Sequence, residues 1–283
     1  MRIRTRRGEI ATLEAGSASS PTVALVPGWT GSKEDFVALL APLAQAGWHA
    51  VAIDQRGQYE TPGTDRESDY RLTALGDDLL ALTAELGAGP VHLVGHSFGG
   101  LVARAATITE PQAVASLTLL CSGPGPQPVE RHVLLQAMAD AIPAIGLPAT
   151  WLAKRAYERS QGAPEPPPEI ERFMELRFVN NHPLALREMT LHLTRAPDDL
   201  VALAATGVPV LVAFGADDDG WPTAEQRAMA DRLGAPVAVI DGAGHSPAAE
   251  RPEQTVAALE RFWTVARSAP GSGGRTDPAS VRR

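Results

Sequence analysis

One serine in this chain sits between glycines at a spacing that suits nucleophilic chemistry: Gly95-His96-Ser97-Phe98-Gly99. Val91-His92-Leu93-Val94 precedes it as an apolar strand-like stretch, and Gly100-Leu101-Val102-Ala103-Arg104-Ala105 follows as the start of a helix. Gly95 and Gly99 leave room for a sharp, strained strand-to-helix turn that exposes the Ser97 oxygen. The same turn points the Phe98 backbone N–H at charge developing on an attacked carbonyl, which makes it an oxyanion-hole donor. A serine hydroxyl is almost fully protonated near neutrality, so attack requires a neighbouring imidazole to take the proton. Of the seven histidines, His245 is best placed. It lies in Asp241-Gly242-Ala243-Gly244-His245-Ser246-Pro247, a glycine-bearing loop after the last strand-like segment. His96 and His92 read as packing or supporting residues. His49, His132, His182 and His192 show no metal-ligand spacing, so no metal is expected.

These groups need a scaffold that brings residues about 150 positions apart into contact. Six nearly continuous apolar segments supply it: Val23 to Val26, Ala50 to Asp54, Val91 to Gly95, Val114 to Leu120, Val210 to Phe214 and Val237 to Ile240. Continuous rather than alternating apolar runs predict central parallel strands covered by helices on both faces. The first sixteen residues add an antiparallel edge hairpin that turns at Gly8. Ser32 with Asp35 has the spacing of a helix cap, followed by the stripe Phe36, Leu39, Leu40 and Leu43. Further helices are predicted over Asp77 to Leu86, over Phe98 to Ile108, from Thr223 with Gln226, and on the face Val256, Leu259, Phe262 and Trp263. The alternation breaks between about Gly123 and Thr206, where 11 of the 24 prolines fall. Pro164 and Pro166 to Pro168 stop a helix there, because proline lacks the backbone donor and clashes with the preceding turn. The predicted organisation is an α/β core over 1–122 and 207–267, interrupted by a helical insertion over 123–206. Residues 268–283 lack apolar periodicity and are expected to be disordered.

Composition narrows the function classes. A chain of 283 residues with 44% hydrophobic and 20% charged residues fits one main globular domain. A formal charge of −8 argues against nucleic acid as a partner, which needs a concentrated basic face. No unbroken apolar run approaches the roughly 20 residues of a membrane span, so no membrane partner is expected. Arg2, Arg4, Arg6 and Arg7 precede no apolar leader segment. A single cysteine, Cys121, excludes an internal disulfide and fits a reducing, cytoplasmic setting. No G-x-G-x-x-G follows the first strand and no phosphate loop is present, so no nucleotide or other cofactor is expected.

With its strand and helix around it, the Ser97 motif resembles the α/β-hydrolase superfamily, in particular its small lid-bearing serine esterases, lactonases and cofactor-free perhydrolases. The resemblance spans about residues 8 to 265. It implies the chain order nucleophile, acid, histidine, with the acid after a late strand. In Phe214-Gly215-Ala216-Asp217-Asp218-Asp219-Gly220-Trp221-Pro222 the family pattern favours Asp218, with Asp217 the main alternative and Asp219 and Asp241 behind it. Val26-Pro27-Gly28-Trp29-Thr30-Gly31 resembles the oxyanion loop, which implies the Trp29 N–H as second donor. Pro27 stands where the family usually has histidine. Asp54-Gln55-Arg56-Gly57-Gln58-Tyr59 is similar to the family's Asp-x-Arg-Gly loop and reads as a structural anchor, with Tyr59 a pocket candidate. The insertion is expected to cover the site, with Trp151, Phe173, Phe178 and Met189 either facing the pocket or forming the insertion's own core. The expected activity is hydrolysis of a small or medium apolar carboxylic ester or lactone through a Ser97 acyl-enzyme, without a cofactor. Perhydrolysis by the same residues and a non-catalytic small-molecule binding protein are the alternatives. The oligomeric state is not legible.

Overall fold

The computed structural model describes residues 1–87, 89–163 and 165–268. Eight strands form one sheet in the order β1-β2-β4-β3-β5-β6-β7-β8. They are β1 (Arg2–Thr5), β2 (Gly8–Ala15), β3 (Thr22–Val26), β4 (His49–Ile53), β5 (Val91–His96), β6 (Val114–Leu120), β7 (Val210–Gly215) and β8 (Val237–Ile240). The hairpin β1–β2 is antiparallel and joins β4 antiparallel, while β4, β3, β5, β6, β7 and β8 run parallel. All six segments expected as central strands are therefore strands of the parallel part. The four strands β3 to β6 are buried along almost their whole length, which explains why their sequences are continuously apolar.

Helices cover both faces. On one, α1 (Val37–Gln45) and α10 (Pro252–Ser268) bury Leu39, Leu43, Leu259 and Trp263 against Val23, Leu25 and Ala52. Asp35 reaches back to the Ser32 N–H at 3.3 Å, as the cap spacing predicts, but a 3-10 turn at Lys33–Phe36 precedes α1. On the other face, α2 (Leu72–Leu86), α3 (Phe98–Thr109) and part of α8 (Thr223–Leu233) bury Leu79, Leu82, Ala103, Ala106 and Met229 against Val51, Leu93, Leu117 and Val212. The α2 helix begins five residues before the expected Asp77, running through Gly76. That glycine is a packing site and not a breaker: a Cβ there would lie 2.9 Å from the Ala106 nitrogen, so its absence lets α2 close on α3.

Between β6 and β7 the chain leaves the sheet and forms α4 (Val129–Ser160), α5 (Pro168–Val179), α6 (Pro183–Arg195) and α7 (Leu200–Ala205). Gly146, at φ 77° between Pro143 and Pro148, kinks α4. Helix α4 ends at Ser160, ahead of the run Pro166 to Pro168, and α5 restarts with Pro168 at its first position, where the missing donor costs nothing. By packing, the insertion proper stops before α7, since Leu200 and Leu203 join the core beneath the sheet. Helix α4 is long and apolar enough to cross a membrane by length and composition, with an 18-residue window of mean hydropathy 1.3 of which a third is buried. A short α9 (Pro247–Glu250) precedes α10. The tail expected to be disordered lies, beyond Ser268, outside the described residues.

Candidate active site

Ser97 occupies the turn between β5 and α3 with φ 53° and ψ −119°, a backbone state that costs a non-glycine residue roughly 1–3 kcal/mol. The fold holds it there by force of packing. Its N–H donates to the Leu120 carbonyl at 2.8 Å on the neighbouring strand, and its carbonyl accepts from Gly100 N–H at 2.9 Å. A Cβ on Gly95 would lie 2.5 Å from the Gly100 Cα, and one on Gly99 would strike the Val26 carbonyl. Both glycines of the motif are thus demanded by close backbone approach.

His245 and Asp218 converge on this turn from the ends of β8 and β7. Ser97 Oγ lies 3.0 Å from His245 Nε2, and His245 Nδ1 lies 2.7 Å from Asp218 Oδ1. A carboxylate accepts only, so Nδ1 carries the proton and Nε2 faces the serine hydroxyl as an acceptor. Asp218 is buried and also accepts from Gly220 N–H at 2.8 Å and from Gln226 Nε2 at 2.6 Å. Burial pushes its carboxyl up, but hydrogen bonds from His245, Gly220 and Gln226 and the charge of His245 outweigh this and hold it below the ordinary aspartate value. Asp217, Asp219 and Asp241 are exposed. Of the four aspartates considered, the structure brings Asp218 to His245.

Three features of this corner are not apparent from motifs. Gln226, expected as a helix-start residue, is fully buried and turned onto Asp218. Gly220 lies against the His245 ring, where a Cβ would overlap the imidazole. His96 places Nε2 2.6 Å from the His245 carbonyl, so Nε2–H donates and fixes the backbone of His245. Buried away from water beside His245, the His96 ring is lowered to about 4. Its folded value lies below its unfolded 6.5, so its stabilisation is complete above 6.5 and is lost as pH falls from 6.5 toward 4. His96→Gln keeps an N–H donor without the titration. Urea unfolding should show the variant losing about 2 kcal/mol less than the parent between pH 7 and pH 4.5. Equal losses would show that His96 takes no part in the acid sensitivity.

The loop after β3 is held by the loop after β4. Gln55 Nε2 donates to the Pro27 carbonyl and Gln58 Nε2 to the Gly28 carbonyl, both at 2.8 Å. Asp54 accepts from Lys33 N–H at 2.7 Å and from Lys33 Nζ at 2.9 Å. Arg56 pairs with Asp78 at 2.5 Å. The Asp-x-Arg-Gly segment is thus an anchor, as read, and its two glutamines reach the loop in which Pro27 replaces histidine. From the insertion, Thr190 Oγ1 accepts from the Trp29 indole at 2.9 Å, and Arg177 pairs with Asp35. Phe98 opens α3, where the first-turn N–H groups have no partner within the helix.

A cavity of about 670 Å³ lies between these loops and the insertion, lined by Ser97, His245, Trp29, Leu135, Met138 and Leu193 among others. None of the five expected pocket side chains lines it. Trp151 and Phe178 pack on each other and on Ile142, Leu147 and Leu186, forming the insertion's own core. Met189 is buried with Tyr70, Leu101 and Leu193 where α6 meets α3. Tyr59 meets Phe173 edge to face at 5.9 Å, with Lys33 above the tyrosine ring and Arg177 above the phenylalanine. Trp151, Phe173 and Phe178 are thus taken up in joining the insertion's helices to one another and to the core, whereas Tyr157 of α4 lines the cavity. The cavity wall falls instead to α4 residues such as Leu134, Ala137, Met138 and Ala141.

His96, Cys121 and His245 bring their ligand atoms within 4.8 Å of one another, as do Asp218, Asp219 and His245. Their hydrogen bonds account for the clustering: both histidines are engaged as described, and burial pushes the Cys121 thiol well above its usual value.

Residues 23–259 match the alpha/beta hydrolase family. A candidate carbamate hydrolase, RutD, of Variovorax paradoxus strain S110 is 28% identical over 229 residues, covering 77% of this chain and 82% of the relative. Among solved structures, a thermophilic esterase of Thermogutta terrifontis superposes with a TM-score of 0.78 at 25% identity, covering 94% of this chain and 98% of that one. The enol-lactonase of Burkholderia xenovorans LB400 superposes with a TM-score of 0.77 at 18% identity over 93% and 100% of the two chains, a likeness of fold. Sheet order, the strained serine turn and a family match across most of its length together make this chain a member of the alpha/beta hydrolase family.

Proposed function

We propose that this chain hydrolyses a small or medium apolar carboxylic ester or lactone through an acyl-enzyme on Ser97. The observation that carries the reading is the unbroken hydrogen-bonded line Ser97, His245, Asp218 opening into a cavity of about 670 Å³ between the core loops and the insertion. In the first half-reaction Ser97 Oγ bonds to the carbonyl carbon while its proton passes to His245 Nε2. The oxyanion so formed is met by the N–H groups of Trp29 and Phe98. Collapse breaks the bond to the leaving oxygen, which takes the proton from His245. Water then repeats the sequence and releases the acid. Asp218 holds the imidazole tautomer and stabilises the imidazolium without taking the proton. The helical insertion acts as a lid that encloses the acyl group, and the volume suits a compound of drug-like size or smaller.

A panel of p-nitrophenyl esters of two to twelve carbons and of simple lactones tests the reading, with and without hydrogen peroxide. Turnover with a preference for short to medium chains, independent of peroxide, is expected. Peracid formation that outpaces hydrolysis would mark a perhydrolase. No turnover, and no labelling by a fluorophosphonate, would mean that the fold has been kept for binding alone.

A further inference from the structure

We propose that Gln58 is a positioning residue that aims the oxyanion-hole N–H of Trp29 by holding the carbonyl of the same peptide, the one joining Gly28 to Trp29. The proposal rests on the reading of Ser97 as nucleophile and of Trp29 as donor. The described peptides include no cis bond, so the C=O and N–H of that unit point in opposite directions across one plane. Whatever fixes the Gly28 oxygen therefore fixes the direction of the Trp29 hydrogen. Two groups grip that oxygen: Gln58 Nε2 at 2.8 Å and the Gly31 N–H at 3.1 Å. Among the described residues none accepts the Trp29 N–H, which leaves it free for a ligand in the cavity that Gly28, Trp29 and Ser97 line together.

The orientation of the Gln58 amide is determined by its neighbours. Its Oε1 accepts from the Gln55 N–H at 3.1 Å, and a backbone N–H can only donate. Its Nε2 must then face the Gly28 carbonyl, which can only accept. The residue is fully buried, so no water competes for either contact. Its N–H also draws electron density toward the Gly28 oxygen, which strengthens the Trp29 N–H as a donor in a site of low dielectric. Next to this peptide, Thr30 is held at φ 59°, so the loop depends on tertiary contacts for its shape. Gln55 offers an internal comparison. It is also buried and makes an equally short bond, but to the Pro27 carbonyl, one peptide earlier, whose N–H belongs to Gly28.

The experiment compares Gln58→Met, Gln55→Met and Gln58→Glu with the parent, using p-nitrophenyl butyrate for pre-steady-state acylation and an alkyl trifluoromethyl ketone as a tetrahedral mimic. Gln58→Met should acylate about 10-fold more slowly with KM within about 2-fold of the parent, and should bind the ketone about 10-fold more weakly. Gln55→Met should lose no more than about 3-fold in either measurement. In Gln58→Glu an ionised carboxylate has no donor for the Gly28 oxygen, whereas a protonated one donates O–H. Its acylation rate relative to the parent should therefore rise as pH falls from 8 to 6, a signature that a merely structural glutamine would not show. Equal losses in the two methionine variants, or an effect on KM alone, would overturn the proposal. If Gln58→Met does not fold, Gln58→Glu decides, and a ratio to the parent that stays flat across that range overturns it. Failure of the underlying reading looks different, because the parent itself would then carry no acyl group on Ser97.

Discussion

Ser97→Ala should lower ester turnover by on the order of 10⁵-fold or more and remove the acyl adduct altogether. The loss is large because no other group can take over: Ser97 Oγ is the atom that His245 Nε2 faces at 3.0 Å, and the rest of the line has no function without it. Members of such a unit are strongly non-additive, so Ser97→Ala with His245→Ala should be scarcely worse than either change alone. Structure should be spared. Alanine keeps the Cβ that the turn already accommodates at φ 53°, and the backbone bonds to Leu120 and Gly100 do not involve the hydroxyl. Intact-protein mass spectrometry after a short pulse of activated ester reads the adduct, and thermal unfolding reads the fold. A stoichiometric adduct persisting in folded Ser97→Ala would place the nucleophile elsewhere.

Asp218→Asn is expected to slow acylation by at least about 100-fold while leaving the chain folded. The same exchange in a serine protease triad costs about 10,000-fold, because an amide can hold the imidazole in the wrong tautomer and offers no charge to the imidazolium. Every partner of Asp218 here is a donor: His245 Nδ1, the Gly220 N–H and Gln226 Nε2. An asparagine must turn its NH₂ toward one of them. Gln226 can absorb the mismatch, since its Oε1 is buried without a partner and a flip of its amide would present that oxygen to the new N–H. The flip gives up its bond to the Trp221 carbonyl, sets two oxygens against each other there and leaves the Gln226 N–H buried without a partner, a cost of about 1–3 kcal/mol that a folded domain can bear. Asp217→Asn and Asp219→Asn, both at exposed positions, should stay within about 3-fold of the parent. Stopped-flow acylation with all three variants checks this. Parental rates in Asp218→Asn alongside a folded, inactive Asp217→Asn would shift the acid by one residue.

What could be read from the residues alone is what local physics encodes. Strands buried on both faces must be continuously apolar, so β3 to β6 announce themselves together with the parallel architecture. A serine forced to positive φ needs small neighbours, so Gly95 and Gly99 mark the turn before any contact is known. A side chain that must reach Ser97 from a distant strand needs a loop free to bend, and His245 sits in one beside Gly242 and Gly244. The choice among three adjacent aspartates was different in kind. Neighbouring side chains on a loop diverge, and only the closure of β7 against β8, with Gly220 giving way to the imidazole, decides that Asp218 is the one turned inward. The same holds for the glutamines. Nothing local distinguishes Gln55, Gln58 or Gln226 from solvent-facing residues, because their worth lies in carbonyls and a carboxylate supplied by other segments. The expected pocket aromatics show the converse. Trp151, Phe173, Phe178 and Met189 are apolar and belong to the insertion, as read, but whether such a side chain faces a ligand or its own core depends on how the helices pack. That is settled by competition for buried area across the whole insertion, a quantity no single position carries.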